Sequence, residues 1–278
     1  ATDSGFIPLS ERFQASSTFF EGVGANQFHV GDLDSDGQPE VLIARGGLIR
    51  VLSFSETPEI RVVAQITAPL PGAELVAVSA APAGDDHPAL ICAVDRSDAT
   101  VLVCTETEAG AWEITSEVDL QIPSSQRLML GDWDGDEVLD LAVKASQAVT
   151  VLFGGVTSSP LAQLATCASP LDDGRFGLLE TMTWDGGETW AHLIDHRYHT
   201  LLIQRWDAEA EEWAEVYRFP VFETPGERRR DWDRDLEAIN VQPREMAVAD
   251  INGDGLDDLV LLAHDHLLIY PRREVSEP

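Results

Sequence analysis

An acidic phrase repeated three times, a repeat period of about 50 residues and short apolar runs throughout predict an all-β fold. The expected architecture is a single closed β-propeller of five four-stranded blades, with metal loops in blades 1, 3 and 5. The phrases are VGDLDSDGQPEVLIA at residues 30–44, LGDWDGDEVLDLAVK at 130–144 and VADINGDGLDDLVLL at 248–262. Oxygen-bearing side chains fall at loop positions 1, 3, 5 and 9: Asp32, Asp34, Asp36 and Glu40; Asp132, Asp134, Asp136 and Asp140; Asp250, Asn252, Asp254 and Asp258. Such crowding is repulsive unless a hard cation sits among the oxygens. Calcium, which takes six to eight oxygens in a flexible shell, suits the pattern best. Backbone carbonyls at position 7 (Gln38, Val138, Leu256) would complete each cage, giving about three ions in all. A polar hairpin turn is the plain alternative, because Asp, Asn and Gly dominate turns for local reasons. Three loops in one register, each running into a strand, favour the cation. An EF-hand is excluded: its loop runs to a Glu at position 12 between helices, whereas β-type sequence follows position 9 here.

The units begin near residues 27, 74, 127, 177 and 245. The first reads as FHVGD, EVLIA, LIRVLSF and IRVVAQITA; the second as ELVAVSA, PALICAV, TVLVC and WEITSEVDL. RLMLGD, LDLAVK, AVTVLFG and LAQLATC form the third, and GLLETMTW, WAHLID, TLLIQRW and WAEVYRFPV the fourth. The fifth has EMAVADI, DLVLLAH and HLLIYPR, so a strand from residues 11–20 is expected to complete it and remove an exposed edge. Runs such as PALICAV are apolar at successive positions, as in strands covered on both faces. The whole chain, 1–278, is read as one domain, with an insertion at 223–243 that combines Arg228, Arg229, Arg230 and Trp232 with alternating acids.

No run approaches the eighteen apolar residues of a membrane span. The net charge of −31, from 49 acids and 18 bases, disfavours nucleic acid, whose phosphates need a basic surface. Lys144 is the one lysine; saline surroundings and codon usage explain that equally well. The chain begins at Ala1, as a processed secreted protein or a trimmed one would. Cys92 and Cys104 lie equidistant from Asp98, so a hairpin centred there would place them opposite each other; a disulfide and two small buried side chains are both open readings.

These phrases resemble FG-GAP/VCBS repeats, the calcium-loop blades of integrin α-chain propellers and many secreted bacterial proteins. The resemblance implies an extracellular or periplasmic propeller whose calcium loops join the first and second strands of a blade, stiffen its edge and do no chemistry. Two departures stand out. Glu137 occupies a place held by Gly37 and Gly255, so the second loop is expected to turn differently, and Asn252 brings one charge fewer to the third.

The resemblance also places the second-to-third strand turns on the face opposite the metal loops. Arg45, Arg96, Lys144, His196, Arg197, His199, His264 and His266 fall there, a candidate anion-binding face for a glycan or protein partner. His192, His196 and His199 give little ground for a transition-metal site, because strand and turn send them in different directions. Trp112 and Trp213 open fourth strands and read as rim packing rather than sugar platforms. Catalytic motifs such as GxSxG, a phosphate loop or HExxH are missing, so no catalytic residue is assigned. The expected function is a non-catalytic binding module. The alternatives are a subunit of a larger extracellular or periplasmic assembly and, behind it, a polysaccharide lyase or hydrolase, since the fold alone excludes neither.

Overall fold

The computed structural model describes residues 17–54, 60–84, 87–107, 109–119, 127–154, 163–183, 189–221, 243–263 and 266–273. Five antiparallel sheets follow one another along the chain, each a simple meander, and together they make the five blades of a β-propeller. The first contains β1 (Phe28–Gly31), β2 (Glu40–Arg45), β3 (Leu48–Phe54) and β4 (Ile60–Thr67). The second contains β5 (Leu75–Ala81), β6 (Leu90–Asp95), β7 (Thr100–Glu106) and β8 (Trp112–Asp119). Then come β9 (Arg127–Gly131), β10 (Asp140–Lys144), β11 (Ala148–Phe153) and β12 (Gln163–Ala168). The fourth sheet comprises β13 (Phe176–Thr183), β14 (Thr189–Asp195), β15 (Thr200–Asp207) and β16 (Glu212–Pro220). The fifth shows three strands among the described residues, β17 (Glu245–Ala249), β18 (Asp258–Ala263) and β19 (His266–Tyr270).

The chain divides into two compact units: residues 1–130, 141–145 and 154–162 in one, and residues 131–140, 146–153 and 163–278 in the other. In the first unit, alternation sends Leu42, Ala44, Ile49 and Val51 of the first blade against Val78, Ile91, Ala93 and Leu102 of the second. The opposite face of the first blade offers Val41, Ile43 and Leu52 beside Phe28 of β1, and Phe19, Phe20 and Val23 cover it. Both faces of β2 are therefore buried, which is why EVLIA carries no polar alternation.

Residues Ser17–Phe20 form a single helical turn, α1, rather than the end of a strand. A strand would send Phe19 and Phe20 to opposite faces, whereas a helical turn lets both pack against the first blade. Residues 11–16, the rest of the expected closing strand, lie outside the described residues, as do 223–242 of the insertion. In the second unit, Met182, Ile194 and Leu201 of the fourth blade pack against Met246, Leu259 and Leu261 of the fifth. No helix among the described residues is long and apolar enough to cross a membrane.

Candidate metal loops and the turns between them

The three acidic loops join β1 to β2, β9 to β10 and β17 to β18, so each connects the first and second strands of its sheet. All three fold the same way. The N–H of position 6 donates to Oδ2 of position 1: Gly37 to Asp32 at 2.9 Å, Glu137 to Asp132 at 3.0 Å and Gly255 to Asp250 at 2.9 Å. The N–H of position 5 donates to position 3, with Asp36 to Asp34 at 3.2 Å, Asp136 to Asp134 at 3.3 Å and Asp254 to Asn252 at 2.8 Å. That of position 7 donates to position 5, with Gln38 to Asp36 at 2.7 Å, Val138 to Asp136 at 2.8 Å and Leu256 to Asp254 at 2.9 Å. Position 9 is buried at the base of each loop, where Glu40, Asp140 and Asp258 accept the N–H of Leu33, Trp133 and Ile251. Asp258 also accepts the N–H of Arg272 at 2.9 Å, which ties the loop to the segment after β19.

This winding needs left-handed backbone at positions 4 and 6. The first loop has Ser35 (φ 58°) and Gly37 (φ 85°), the second Gly135 (φ 84°) and Glu137 (φ 67°), the third Gly253 (φ 76°) and Gly255 (φ 85°). The expectation that Glu137 would make the second loop turn differently is therefore wrong. Glu137 adopts the glycine conformation, at a cost of about 1–2 kcal/mol, because its N–H completes the same bond to Asp132.

Carboxylate oxygens of Asp32, Asp34 and Asp36 lie within 4.8 Å of one another, and so do those of Asp132, Asp134 and Asp136. Either triplet is able to hold a metal ion. Burial, then Asp136, pushes the Asp134 carboxyl above its ordinary range. Burial and the three neighbouring acids push Glu40 the same way, against the Leu33 N–H. In the exposed third loop the Gly255 N–H leads the bonds that hold Asp250 below the usual range. Hard oxygens clustered at raised electrostatic cost are the donor set that a divalent cation would relieve.

The expected anion-binding face is less uniform than its residue types suggest. Arg45 ends β2 in solvent. Arg96 is exposed and forms an ion pair with Glu74. Arg197 lies 3.6 Å from Asp173 and 5.9 Å above the Tyr198 ring, and His196 Nε2 donates to the Pro243 carbonyl at 3.1 Å. Lys144 is a correction: it belongs to β10, every residue of which is buried, rather than to an exposed turn. Burial, with Arg127 adding repulsion, lowers its pKa to about 8. His266 is exposed at the start of β19, His199 adopts left-handed backbone (φ 50°), and His264 lies outside the described residues.

The cysteines are free. The β6–β7 register pairs Cys92 with Val103 and Ile91 with Cys104, so a shift of one residue sends the two thiols to opposite faces. Burial pushes the Cys104 thiol up to about 12. Trp112 packs against the core between the first two blades, and Trp213 meets Trp133 and Trp206 edge-on.

The blades without acidic loops carry a buried aspartate that the sequence reading missed. Asp95 Oδ1 accepts the N–H of Glu74 and both the N–H and hydroxyl of Ser97. Asp195 accepts from Ser169 Oγ and the N–H groups of Arg175, Arg197 and Tyr198. Both end the second strand of their blade, and both fasten its second-to-third turn to the residue entering its first strand. The signal was present as VDRSDAT and IDHRYHT, an Asp five residues before a Thr.

His192 is buried in β14 at 1% exposure, its Nδ1 donating to the Trp190 carbonyl at 3.3 Å. Burial lowers its pKa from 6.5 to about 4, against that hydrogen bond. The unfolded chain takes up this proton near pH 6.5, and the folded chain resists it until about pH 4. The stability His192 contributes is therefore present above pH 6.5 and is lost as pH falls towards 4, by about 3 kcal/mol. Denaturant melts at pH 7 and pH 4.5 should show His192→Leu losing less stability on acidification than the unmodified chain. Equal losses would remove His192 as a cause.

The chain matches no family model and no curated protein.

Proposed function

We propose that this chain is a calcium-stabilised β-propeller of the FG-GAP/VCBS type, acting outside the cytoplasm as a non-catalytic binding module. The carrying observation is the common winding of three loops. Each spends two left-handed residues, and the first and third sheets bring three carboxylates within 4.8 Å. Calcium bound there would offset both the strain and the repulsion, and would fix the ends of strands that frame the blade. Asp32, Asp34 and Asp36, Asp132, Asp134 and Asp136, and Asp250, Asn252 and Asp254 would supply side-chain oxygens. Gln38, Val138 and Leu256 would supply carbonyls, and Glu40, Asp140 and Asp258 would anchor the loop bases.

For the ligand, exposed Arg45 and Arg96, at equivalent turns of the first two blades, support an acidic glycan or acidic protein segment. On a chain of net charge −31 such bases are scarce. The test is a panel of sulfated and carboxylated glycans and acidic peptides, read with calcium and with EDTA. Binding should weaken as salt rises from about 0.01 to about 0.15 M, because the screening length between exposed charges falls from about 30 to about 8 Å. Arg45→Ser with Arg96→Ser should weaken it at least about tenfold, the loss of two charge-assisted contacts. Unchanged affinity in the double variant sinks this assignment.

A second reading, a subunit of a larger assembly, is favoured by β19, where Leu267 is 65% and Ile269 48% exposed. A concentration-dependent mass in sedimentation would support it.

A further inference from the structure

Position 2 of the acidic loops has a use that the cation does not require. In the 132–140 loop this residue is Trp133, whose N–H donates to the buried Asp140 at 2.9 Å. Its side chain leaves the loop and is 1% exposed. The ring stands edge-on to Trp213, with centroids 6.1 Å apart and planes at 76°. Trp213 in turn meets Trp206 at 5.7 Å and 67°, and Trp206 lies 4.8 Å from Phe153. Trp206 and Trp213 are register partners that close the β15–β16 hairpin. Thus one residue is bonded through its backbone to the base of the acidic loop and wedged through its ring into the outer hairpin of the next blade.

Two further observations mark the arrangement as more than filler. The indole N–H groups of Trp133 and Trp213 are buried with no hydrogen-bond partner among the described residues, so the two rings are held by their packing against each other. The first two blades repeat the design with an aliphatic residue: Leu33, at position 2, is 5% exposed in the core against which Trp112 packs. Trp112 opens β8 as Trp213 lies at the opening of β16. In the third loop position 2 is Ile251, which is 52% exposed.

We propose that Trp133 is a positioning residue that couples the 132–140 loop to the β15–β16 hairpin, so that cation binding in that loop is transmitted to residues 206–213. The proposal rests on the calcium reading of the loop. Binding would draw Asp132, Asp134 and Asp136 together, and a tightened loop holds Asp140 and the Trp133 backbone in fixed register. The ring is attached to that backbone by only two rotatable bonds, so it passes the restraint to Trp213 and Trp206. Ile251, being exposed, transmits nothing comparable, and the third loop should bind its ion without consequence for a neighbour.

Hydrogen exchange and tryptophan emission on the full chain, with calcium and with EDTA, test this, together with calorimetry to count bound ions. In the unmodified chain calcium should slow exchange of hairpin amides about tenfold, alongside those of the loop. It should also change the emission. Trp133→Leu, which restores the residue found at position 33, should keep calcium binding and loop protection but lose hairpin protection and most of the emission change. A general packing defect would instead loosen the hairpin equally in calcium and EDTA. Calcium-dependent hairpin protection that persists in Trp133→Leu overturns the coupling while leaving the calcium reading intact. Calorimetry showing no ion at the 132–140 loop, checked with Asp134→Ala, overturns both.

Discussion

Removing calcium should lower the melting temperature by about 15 °C or more, and restoring it should return the original value. Each site that binds only the folded chain contributes about 2.7 kcal/mol when the free ion is a hundred times its Kd. Three such sites approach about 8 kcal/mol, and a domain above 150 residues shifts by about 2–4 °C per kcal/mol. Sodium should not substitute, and magnesium should do so poorly, because it demands octahedral geometry and gives up water reluctantly. Calorimetric melts in EDTA, in calcium and in magnesium read this directly. A metal-free sample that melts at the calcium-loaded temperature would refute the calcium assignment. Within the trio, Asp34→Ala should lose most of one site's contribution, since it removes a carboxylate from the clustered triplet. Asn252→Ala should lose less, because it deletes a neutral oxygen, one that accepts the Asp254 N–H.

How much of this was legible in the residues depends on the length scale. The loops were readable because their chemistry is local: Asp, Asn and Gly at fixed offsets specify bonds spanning two to five residues, and the structure makes those bonds in all three. The meander of strands was readable for the same reason, with turn residues punctuating apolar runs. Misreadings came where a neighbour decided the outcome. Glu137 has poor propensity for left-handed backbone, yet the Asp132 carboxylate holds it there. The FF pair at 19–20 reads as strand until the first blade offers one face for both rings. Lys144 looks like a turn base until β10 is seen to be buried from end to end. Of the two readings left open for Cys92 and Cys104, two small buried side chains is the one the structure shows, decided by a single residue of register that composition cannot fix. Asp95 and Asp195 escaped notice because an acid at a turn usually means a solvated cap, and only burial distinguishes a cap from a bolt.

That distinction yields the other large expected effect. Asp195→Ala should cost about 3–5 kcal/mol, with a melting temperature lower by about 6–20 °C. Asp195 is fully buried and accepts from the N–H groups of Arg175 at 2.9 Å, Arg197 at 2.8 Å and Tyr198 at 3.1 Å, and from Ser169 Oγ at 3.2 Å. Truncation strands these part-buried donors together, and each one left without an acceptor costs up to about 1–3 kcal/mol, partly recovered where water enters. Asp195→Asn should fall between, because its amide oxygen can still serve Arg197 and Tyr198 while its NH2 faces the Arg175 N–H, donor against donor. Asp207 is the control. It makes the same kind of turn bonds, to the N–H groups of Glu209 and Ala210, but those bonds are exposed. Asp207→Ala should therefore cost about 1 kcal/mol or less, since water replaces the lost acceptor. Denaturant melts of the three variants decide the matter. If Asp195→Ala and Asp207→Ala prove equally mild, burial is not what makes the former indispensable, and the even blades must owe their turns to the β13–β14 and β14–β15 ladders instead.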